Sequence, residues 1–317
     1  MDGLKDMKKI LVISENLGNA CELIAGAKQL GEKTVVFFVG GDDDAKELAA
    51  HGAERIVLFE RSEALTYEAY ADEMAKLAAE EVPALILVGM TNRGRTVAGV
   101  IAQALQAPCV SEVKKITVNA EGQYVTERRI YGGKATVTEK CSGDVLVVTV
   151  PLRSFEAEPA VQNCTAEIVH APAPEEPRVK LLETTPKGGD SVDITAASTI
   201  VLFGRGLDKK DDMVIMEELA SQLGGVTACT RPCAVDYGWL PHSRYVGLSG
   251  KTVKPALYID IGSSGQIQQI AGATDSKIIV AINKKESEPV FKYSDYGIVG
   301  DLYEIVPELT KQIKALH

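Results

Sequence analysis

Four short segments in the C-terminal half carry serine, threonine or arginine, three of them together with glycine, and they are the segments best suited to holding a ligand. The most distinctive is Gly262-Ser-Ser-Gly-Gln-Ile267, between an apolar run and a helical pattern. Glycine lets a ligand approach the backbone closely, and N–H groups at a helix start favour an anion such as a pyrophosphate. The segment lacks the full G-x-G-x-x-G pattern, so a tight turn without a ligand explains it equally well.

The other three segments are individually weaker. Val246-Gly-Leu-Ser-Gly-Lys251 resembles a P-loop but has the wrong spacing, and alone it favours a surface turn. Arg205, in Gly204-Arg-Gly206, and Arg231, after Thr230, could clamp a phosphate, although arginines are more often solvated surface side chains. Ligands of open α/β sheets bind outside the carboxyl ends of the strands, so the four segments together predict a dinucleotide-binding domain. The residues alone leave FAD, NAD and CoA open.

Other kinds of site have little support in the sequence. The four histidines form no H-E-x-x-H motif or Cys/His cluster, so we expect no metal site. There is no G-x-S-x-G motif, which disfavours a hydrolase triad. Cys229 and Cys233 lack the C-x-x-C spacing and are interpreted as ordinary thiols. The six cysteines are too sparse for a disulfide framework, which favours reduced thiols in the cytoplasm.

The elements that would position these segments follow an α/β pattern. In the N-terminal half, continuous apolar runs alternate with helical spacing, which predicts a parallel sheet covered on both faces. The predicted strands are 9–14, 35–39, 56–59 and 85–88, and the predicted helices are 20–30, 43–50, 66–80 and 95–105. Residues 113–118 and 124–130 predict a hairpin, and with strands at 135–139 and 145–150 they suggest an antiparallel β extension.

A second α/β unit is predicted from residue 198. Its predicted strands are 199–203, 257–261 and 277–282. Three helices are predicted: one after Gly206, one that begins near Gln266, and one at the end of the chain, 303–316. Four of the 13 prolines fall between residues 171 and 189, which indicates a linker. We therefore expect an N-terminal domain at 1–170, a linker at 171–197 and a ligand-binding domain at 198–317. The predicted class is α/β, with two Rossmann-like parallel-sheet domains.

Length, composition and charge narrow the function further. A chain of 317 residues fits about two domains, and the net charge of −10 disfavours nucleic acid and anionic membrane surfaces. No apolar run is long enough to span a bilayer, and the N-terminus lacks a signal-peptide core. Residues 198–317 carry 13 basic and 14 acidic side chains, so −9 of the charge belongs to residues 1–197. A pyrophosphate would therefore meet less repulsion in the second domain.

A series of segments in the second half resembles the alpha subunit of electron transfer flavoproteins, the FixB-like family. The segments occur in family order: Gly204-Arg-Gly-Leu207, Thr230-Arg231, Val246-Gly-Leu-Ser-Gly-Lys251, Pro255-x-Leu-Tyr-Ile259, Ser264-Gly-x-Ile-Gln268, Ile279-Val-Ala-Ile-Asn-Lys284 and Asp295-Tyr-Gly-Ile-Val-Gly-Asp-Leu302. Looser matches in the first half are Arg93-Gly-Arg95, Ala107-Pro108 with Ser111-Glu-Val113, and Tyr131-Gly-Gly-Lys134.

The resemblance implies an FAD site made by these segments. It places Arg231 near the flavin ring, with Thr230 beside it where the family often has serine, and Ser249 near the flavin N5. It implies contacts along the pyrophosphate and ribityl chain for Arg205, Ser264, Gly265, Ile267 and the flanking Gln266 and Gln268. It implies that Val246, Gly247 and Leu248 line the loop carrying Ser249, and that Asn283, Asp301 and Leu302 lie at the adenosine end.

Gln269 departs from the family pattern. Many members have a histidine at this position that donates toward the flavin C2 carbonyl. Glutamine can donate a hydrogen bond but cannot carry a charge. The resemblance thus implies that one-electron-reduced flavin is less stabilised here than in a relative with histidine.

The implied function is that of an electron carrier. The resemblance implies a heterodimer with a beta subunit, which takes electrons from acyl-CoA or other dehydrogenases, as in fatty acid oxidation, and passes them to a quinone oxidoreductase or another acceptor. We expect no catalytic residue and no substrate reaction of its own, because the cofactor carries the chemistry. Alternatives are an electron-bifurcating variant, an NAD(P)-binding oxidoreductase domain, and a module that binds adenine nucleotide in its N-terminal domain.

Overall fold

The computed structural model describes residues 8–31, 33–161, 164–175, 181–184 and 192–316. The chain divides into two units, residues 1–185 and 186–317.

The first unit contains a parallel sheet and a small antiparallel one. Its strands are β1 (Lys9–Ile13), β2 (Lys33–Gly40), β3 (Arg55–Glu60), β4 (Leu85–Gly89), β5 (Cys109–Val110), β6 (Lys115–Val118), β7 (Tyr124–Ile130), β8 (Ala135–Lys140), β9 (Leu146–Val150) and β10 (Glu167–Ala171). The parallel sheet has the order β10-β3-β2-β1-β4-β9-β5, and β6, β7 and β8 pair antiparallel. Its helices are α1 (Leu17–Leu30), α2 (Asp42–Ala50), α3 (Ala71–Glu81) and α4 (Asn92–Ala104).

Strand β1 shows why the N-terminal runs are continuously apolar. Ile10 and Val12 are buried in one core cluster, and Leu11 and Ile13 in a second. Successive side chains of a strand point to opposite faces, so an apolar residue is needed at every position when both faces are covered. The predicted parallel sheet is confirmed.

The antiparallel extension is smaller than expected. The sequence pattern predicts residues 145–150 in this extension, but β9 pairs in parallel with β4 and β5 in the main sheet, so that prediction is wrong. All five residues of β9 are buried, whereas β8 is largely exposed. The apolar Leu-Val-Val-Thr-Val sequence of β9 is the pattern of a central parallel strand. Strands β5 and β10 are not predicted by the sequence pattern.

The second unit is built on a five-stranded parallel sheet. Its strands are β11 (Thr199–Phe203), β12 (Val226–Cys229), β13 (Leu257–Ile261), β14 (Ile278–Asn283) and β15 (Tyr296–Val299), in the order β12-β11-β13-β14-β15. Its helices are α5 (Met213–Gln222), α6 (Ile267–Ile270) and α7 (Leu302–Lys314). Helices α5 and α7 pack on one face. The other face is covered by α6 and by irregular segments that contribute Ile194, Val246 and Val253.

The predicted linker overlaps both units. Ala171 is the last residue of β10, and Ile194 is buried in the core of the second unit. Residues 176–180 and 185–191 of this segment lie outside the described residues, and the domain boundaries at 170 and 198 stay predictions. Within the described ranges, no helix is both long and apolar enough to cross a membrane.

Candidate functional site

The topology of the second unit creates a crevice between β11 and β13. From β11 the chain adds β12 on one side, and from β13 it adds β14 and β15 on the other. The loops after β11 and β13 therefore leave the sheet side by side at its carboxyl edge. Such a reversal of strand order is where open α/β sheets bind their ligands.

Glycine allows these two loops to touch backbone to backbone. The N–H of Gly206 donates to the carbonyl of Gly262 at 2.8 Å, and that of Gly204 donates to Ile261 at 2.9 Å. A Cβ added at Gly204 would lie 2.6 Å from the Cα of Ser263, and one at Gly206 would lie 2.7 Å from the Cα of Gly262. No other residue fits at either position without moving the opposite backbone.

The loop after β13 is held in shape from two directions. The Asn283 amide at the end of β14 donates through Nδ2 to the Ser263 carbonyl at 2.7 Å, and its Oδ1 accepts from Lys285 N–H at 3.0 Å. Val290 N–H donates to the Ser264 carbonyl at 3.1 Å. Gly265 has a φ of +67°, and a Cβ there would lie 2.3 Å from the Cα of Val290. The loop is thus fixed before any ligand arrives.

The loops around the crevice offer hydrogen-bond donors on both sides, and positive charge on the side of β11 and β12. Within the described residues, the backbone N–H groups of Arg205 and Ser264 have no hydrogen-bond partner, and the guanidinium groups of Arg205 and Arg231 form no ion pair. Both arginines are exposed. Such free donors beside a glycine cradle suit a pyrophosphate or another anion.

Arg231 is positioned by the chain just after β12. Thr230 N–H donates to the Phe203 carbonyl at 3.0 Å, which ties this segment to the end of β11. Thr230 is buried, and its hydroxyl lies 3.5 Å from the Cys233 sulfur. One π-helical turn, Pro232–Asp236, follows Arg231 directly. Single turns of this kind are frequent at functional sites.

The 246–251 loop closes the crevice beside α6. Val246 N–H donates to the Cys229 carbonyl at 3.1 Å, which prolongs the edge of β12, and Leu248 N–H donates to the Gln268 carbonyl at 2.8 Å. Val246 and Gly247 are buried, whereas Leu248 and Ser249 are exposed. Gln266 and Gln268 are also exposed, and Ile267 is half-buried. The loop therefore presents Ser249 at its tip.

The remaining predicted residues lie at the start of α7. Asp301 caps this helix by accepting from Tyr303 N–H at 2.9 Å, and Leu302 is buried in the core of the unit. A Cβ on Gly262 would lie 3.1 Å from Leu302 Cδ2, so Leu302 packs under the crevice loop. The structure thus gathers the predicted residues around the carboxyl edge of one sheet.

Helix α6 contributes less than the sequence suggested. It has only four residues, so its dipole adds little to anion binding. The anion site rests instead on the N–H groups of the loops and on the two arginines.

Sequence reasoning missed a buried polar network beside the crevice. Gln269 donates through Nε2 to the Tyr258 hydroxyl at 3.0 Å and to Asp260 Oδ2 at 3.1 Å, and its Oε1 accepts from the Ser263 hydroxyl at 3.4 Å. Asp260 is buried, and burial raises its carboxyl pKa to about 6, although the neighbouring polar groups of Ser263 and the hydrogen bond from Gln269 oppose the shift. The signal was an aspartate inside the apolar strand Leu-Tyr-Ile-Asp-Ile.

The thiols near the site are buried and unreactive. Burial and the neighbouring Cys233 raise the pKa of Cys229 to about 12, and burial raises the pKa of Cys233 as well. Both thiols are therefore protonated at neutral pH. Within the described residues, no group of three histidine, cysteine or acidic side chains could hold a metal ion.

Comparisons with known proteins identify the family. Residues 19–176 match the family described as the electron transfer flavoprotein domain, and residues 193–274 match the electron transfer flavoprotein FAD-binding domain. The family thus supports a flavin cofactor for the second unit.

Similar proteins match over nearly the whole chain. The electron transfer flavoprotein subunit alpha of Mycobacterium leprae (strain TN) is 35% identical over 98% of this chain and 99% of its own length. Protein FixB of Clostridium saccharobutylicum is 36% identical over 92% of this chain and 89% of its own length. Protein FixB of Escherichia coli O17:K52:H18 is 32% identical over 97% of this chain and 98% of its own length. With two family domains and end-to-end similarity to these relatives, the chain belongs to the electron transfer flavoprotein alpha subunit family, which includes FixB.

Proposed function

We propose that this alpha subunit binds FAD non-covalently in the crevice between β11 and β13, and that it carries electrons between partner proteins. The observation that supports this most directly is the glycine cradle. Two loops meet there at backbone contact distance, and beside them lie two arginines and two N–H groups that have no hydrogen-bond partner within the described ranges. When bound, FAD supplies the electron-carrying chemistry, and the chain supplies binding and orientation.

Different residues of the crevice would bind different parts of FAD. The N–H groups of Arg205 and Ser264 and the Arg205 guanidinium would hold the pyrophosphate. Arg231 would place a fixed positive charge near the flavin ring, where it favours added negative charge. Ser249 would present its hydroxyl from the loop tip, with Val246, Gly247 and Leu248 shaping the wall. Asp301 and Leu302 would meet the adenosine end, while Asn283 holds the crevice loop.

The partners follow from the family. A beta subunit would complete the heterodimer, with residues 1–170 contributing the contact surface. Electrons would come from acyl-CoA or other dehydrogenases and leave to a quinone oxidoreductase or another acceptor. Because residues 198–317 are nearly neutral, a dianionic cofactor meets less electrostatic repulsion there than in the acidic remainder of the chain.

Purification of the chain co-expressed with its beta subunit tests the proposal. We expect a yellow heterodimer that releases FAD on denaturation and is bleached by a reduced donor dehydrogenase. The amount of FAD per heterodimer distinguishes a simple carrier, with one flavin, from a bifurcating type with two. A colourless heterodimer that binds NAD(P)H instead of FAD would contradict the proposal.

A further inference from the structure

Asp260 is a buried carboxyl group in the middle of the sheet. It is 1% exposed and lies on β13, with Leu202 of β11 and Ala281 of β14 as its register neighbours. Its Oδ2 accepts from Gln269, and its Oδ1 is buried without a hydrogen-bond partner among the described residues. A buried carboxylate oxygen without a partner is costly, so this group has reason to bind a proton.

The Gln269 amide connects this carboxyl group to the crevice. Its two N–H groups point inward, to Tyr258 and Asp260, at 3.0 and 3.1 Å. Its Oε1 accepts from the hydroxyl of Ser263, which itself accepts from Gly265 N–H at 3.2 Å in the crevice loop. Gln269 is half-buried, whereas Asp260 and Ser263 are buried. With both amide hydrogens engaged, Gln269 has no N–H left for a ligand in the crevice.

We propose that Asp260 is a positioning residue for the flavin site, whose ionised carboxylate holds the Gln269 amide turned into the protein and whose protonation releases that amide toward the crevice. The inference rests on the proposed function, because it needs the cofactor to lie beside Gln269. The step itself is simple: one proton from solvent adds to the carboxylate, which becomes neutral. A neutral carboxyl group can donate to Gln269 Oε1, and the amide can then turn its N–H groups outward.

Among the described residues, none of the groups that act on the Asp260 carboxyl is a cation. The groups that face it are Tyr258 on its own strand, Ser263 and Gln269 in the loop and α6, and apolar residues on β11 and β14. Cys229 on β12 acts on Tyr258, and burial raises the pKa of both groups, so neither is charged at neutral pH. Because the raised pKa of the Asp260 carboxyl is about 6, its protonation changes between pH 5 and pH 8.

The coupling predicts a direction for cofactor binding. An ionised Asp260 holds both side-chain N–H groups of Gln269 turned inward, away from a ligand in the crevice. FAD should therefore bind more tightly below pH 6 than above it. Because linkage is reciprocal, a tenfold difference in affinity corresponds to a rise of about one unit in the Asp260 pKa when FAD binds.

Titration of FAD into the flavin-stripped heterodimer between pH 5 and pH 8 tests this proposal. We expect the Kd of the wild type to rise roughly tenfold over this range, the size of one pKa unit of coupling. Asp260→Asn should abolish the dependence. Gln269→Ala should abolish it too, while the infrared band of the protonated Asp260 carboxyl group still titrates. Glu286→Gln, which alters an exposed carboxylate in the turn after β14, should keep the wild-type profile.

Three outcomes would overturn the proposal, and they are distinguishable. A wild-type profile in Asp260→Asn would show that another group controls binding. A wild-type profile in Gln269→Ala would show that Asp260 does not act through Gln269. Absence of FAD binding in every variant at every pH would overturn the proposed function, and this proposal with it, even where the carboxyl band still titrates.

Discussion

At the scale of single residues, Arg231 differs from the arginines of the first unit that pair with carboxylates. Arg55 and Arg128 pair with carboxylates, whereas Arg231 stands at the carboxyl edge of a sheet without an ion pair among the described residues. An unpaired cation next to unpartnered N–H groups is available to a ligand. The sequence identifies this arginine only through the family resemblance, because its isolation from carboxylates is a property of the folded chain.

Replacing Arg231 should weaken FAD binding. A charged hydrogen bond contributes about 1.5–3 kcal/mol, so Arg231→Gln should raise the Kd for FAD by roughly 10–100-fold. Arg231→Lys should have a Kd between those of the wild type and Arg231→Gln, because lysine keeps the charge but lacks the planar guanidinium with its paired N–H groups. The measurement is fluorescence titration of the stripped heterodimer. Lys277→Gln, an exposed cation at the amino end of β14, is the matched control, and an equal loss in both variants would contradict the role of Arg231.

Asp260 should make stability depend on pH. Burial raises its pKa from 3.8 to about 6, so the folded chain keeps a proton that the unfolded chain has released. The contribution is complete below about pH 4 and is lost as the pH rises through 6. Two pKa units correspond to about 3 kcal/mol.

Urea unfolding at pH 4.5 and pH 7.5 measures this effect. Asp260→Asn should gain stability relative to the wild type at pH 7.5 and show little difference at pH 4.5. Glu286→Gln should follow the wild type at both values. A constant difference between Asp260→Asn and the wild type would mean that the carboxyl group does not titrate in this range.

At the scale of elements, the sequence predicted strands and helices with a repeating apolar pattern. It did not predict strand pairings or hydrogen bonds between residues that are distant in sequence. The alternation of apolar runs and helical patterns predicted β1–β4 and α1–α4. A strand buried on both faces needs an apolar residue at nearly every position, so each strand shows in its own sequence. Strand β9 was placed in the wrong sheet, since its partners β4 and β5 are far away in sequence. The hydrogen bond to Asp260 comes from Gln269, nine residues later in α6, so the strand sequence alone does not predict this network.

The crevice loop gives a test of glycine at the level of an element. Gly265→Ala should destabilise the chain by about 1–3 kcal/mol, because its left-handed φ is strained for alanine and the new Cβ would overlap the Val290 backbone. Gly99→Ala is the matched control. Gly99 lies in α4 with open space around it, and alanine there should stabilise by up to about 1 kcal/mol.

Urea midpoints of the two glycine variants decide the question. The expected changes have opposite signs, with Gly265→Ala also releasing FAD more easily. Equal small changes in both variants would show that the loop after β13 tolerates a side chain and does not need its present shape.

At the scale of the whole molecule, charge and chemistry are divided between the two units. Residues 1–197 hold −9 of the −10 net charge, whereas residues 198–317 hold the crevice and are nearly neutral. We propose that the acidic part meets other proteins and that the neutral part holds the cofactor. FAD should then stabilise the second unit in particular, by about 2.7 kcal/mol at 100 times its Kd.

Hydrogen exchange of the heterodimer with and without FAD locates the cofactor most directly. We predict that FAD slows exchange of the amides at 204–207 and 263–269, the two loops of the crevice, and leaves β1–β4 unchanged. Protection confined to residues 1–171, or absent from both crevice loops, would contradict the assignment of the flavin site to the second unit.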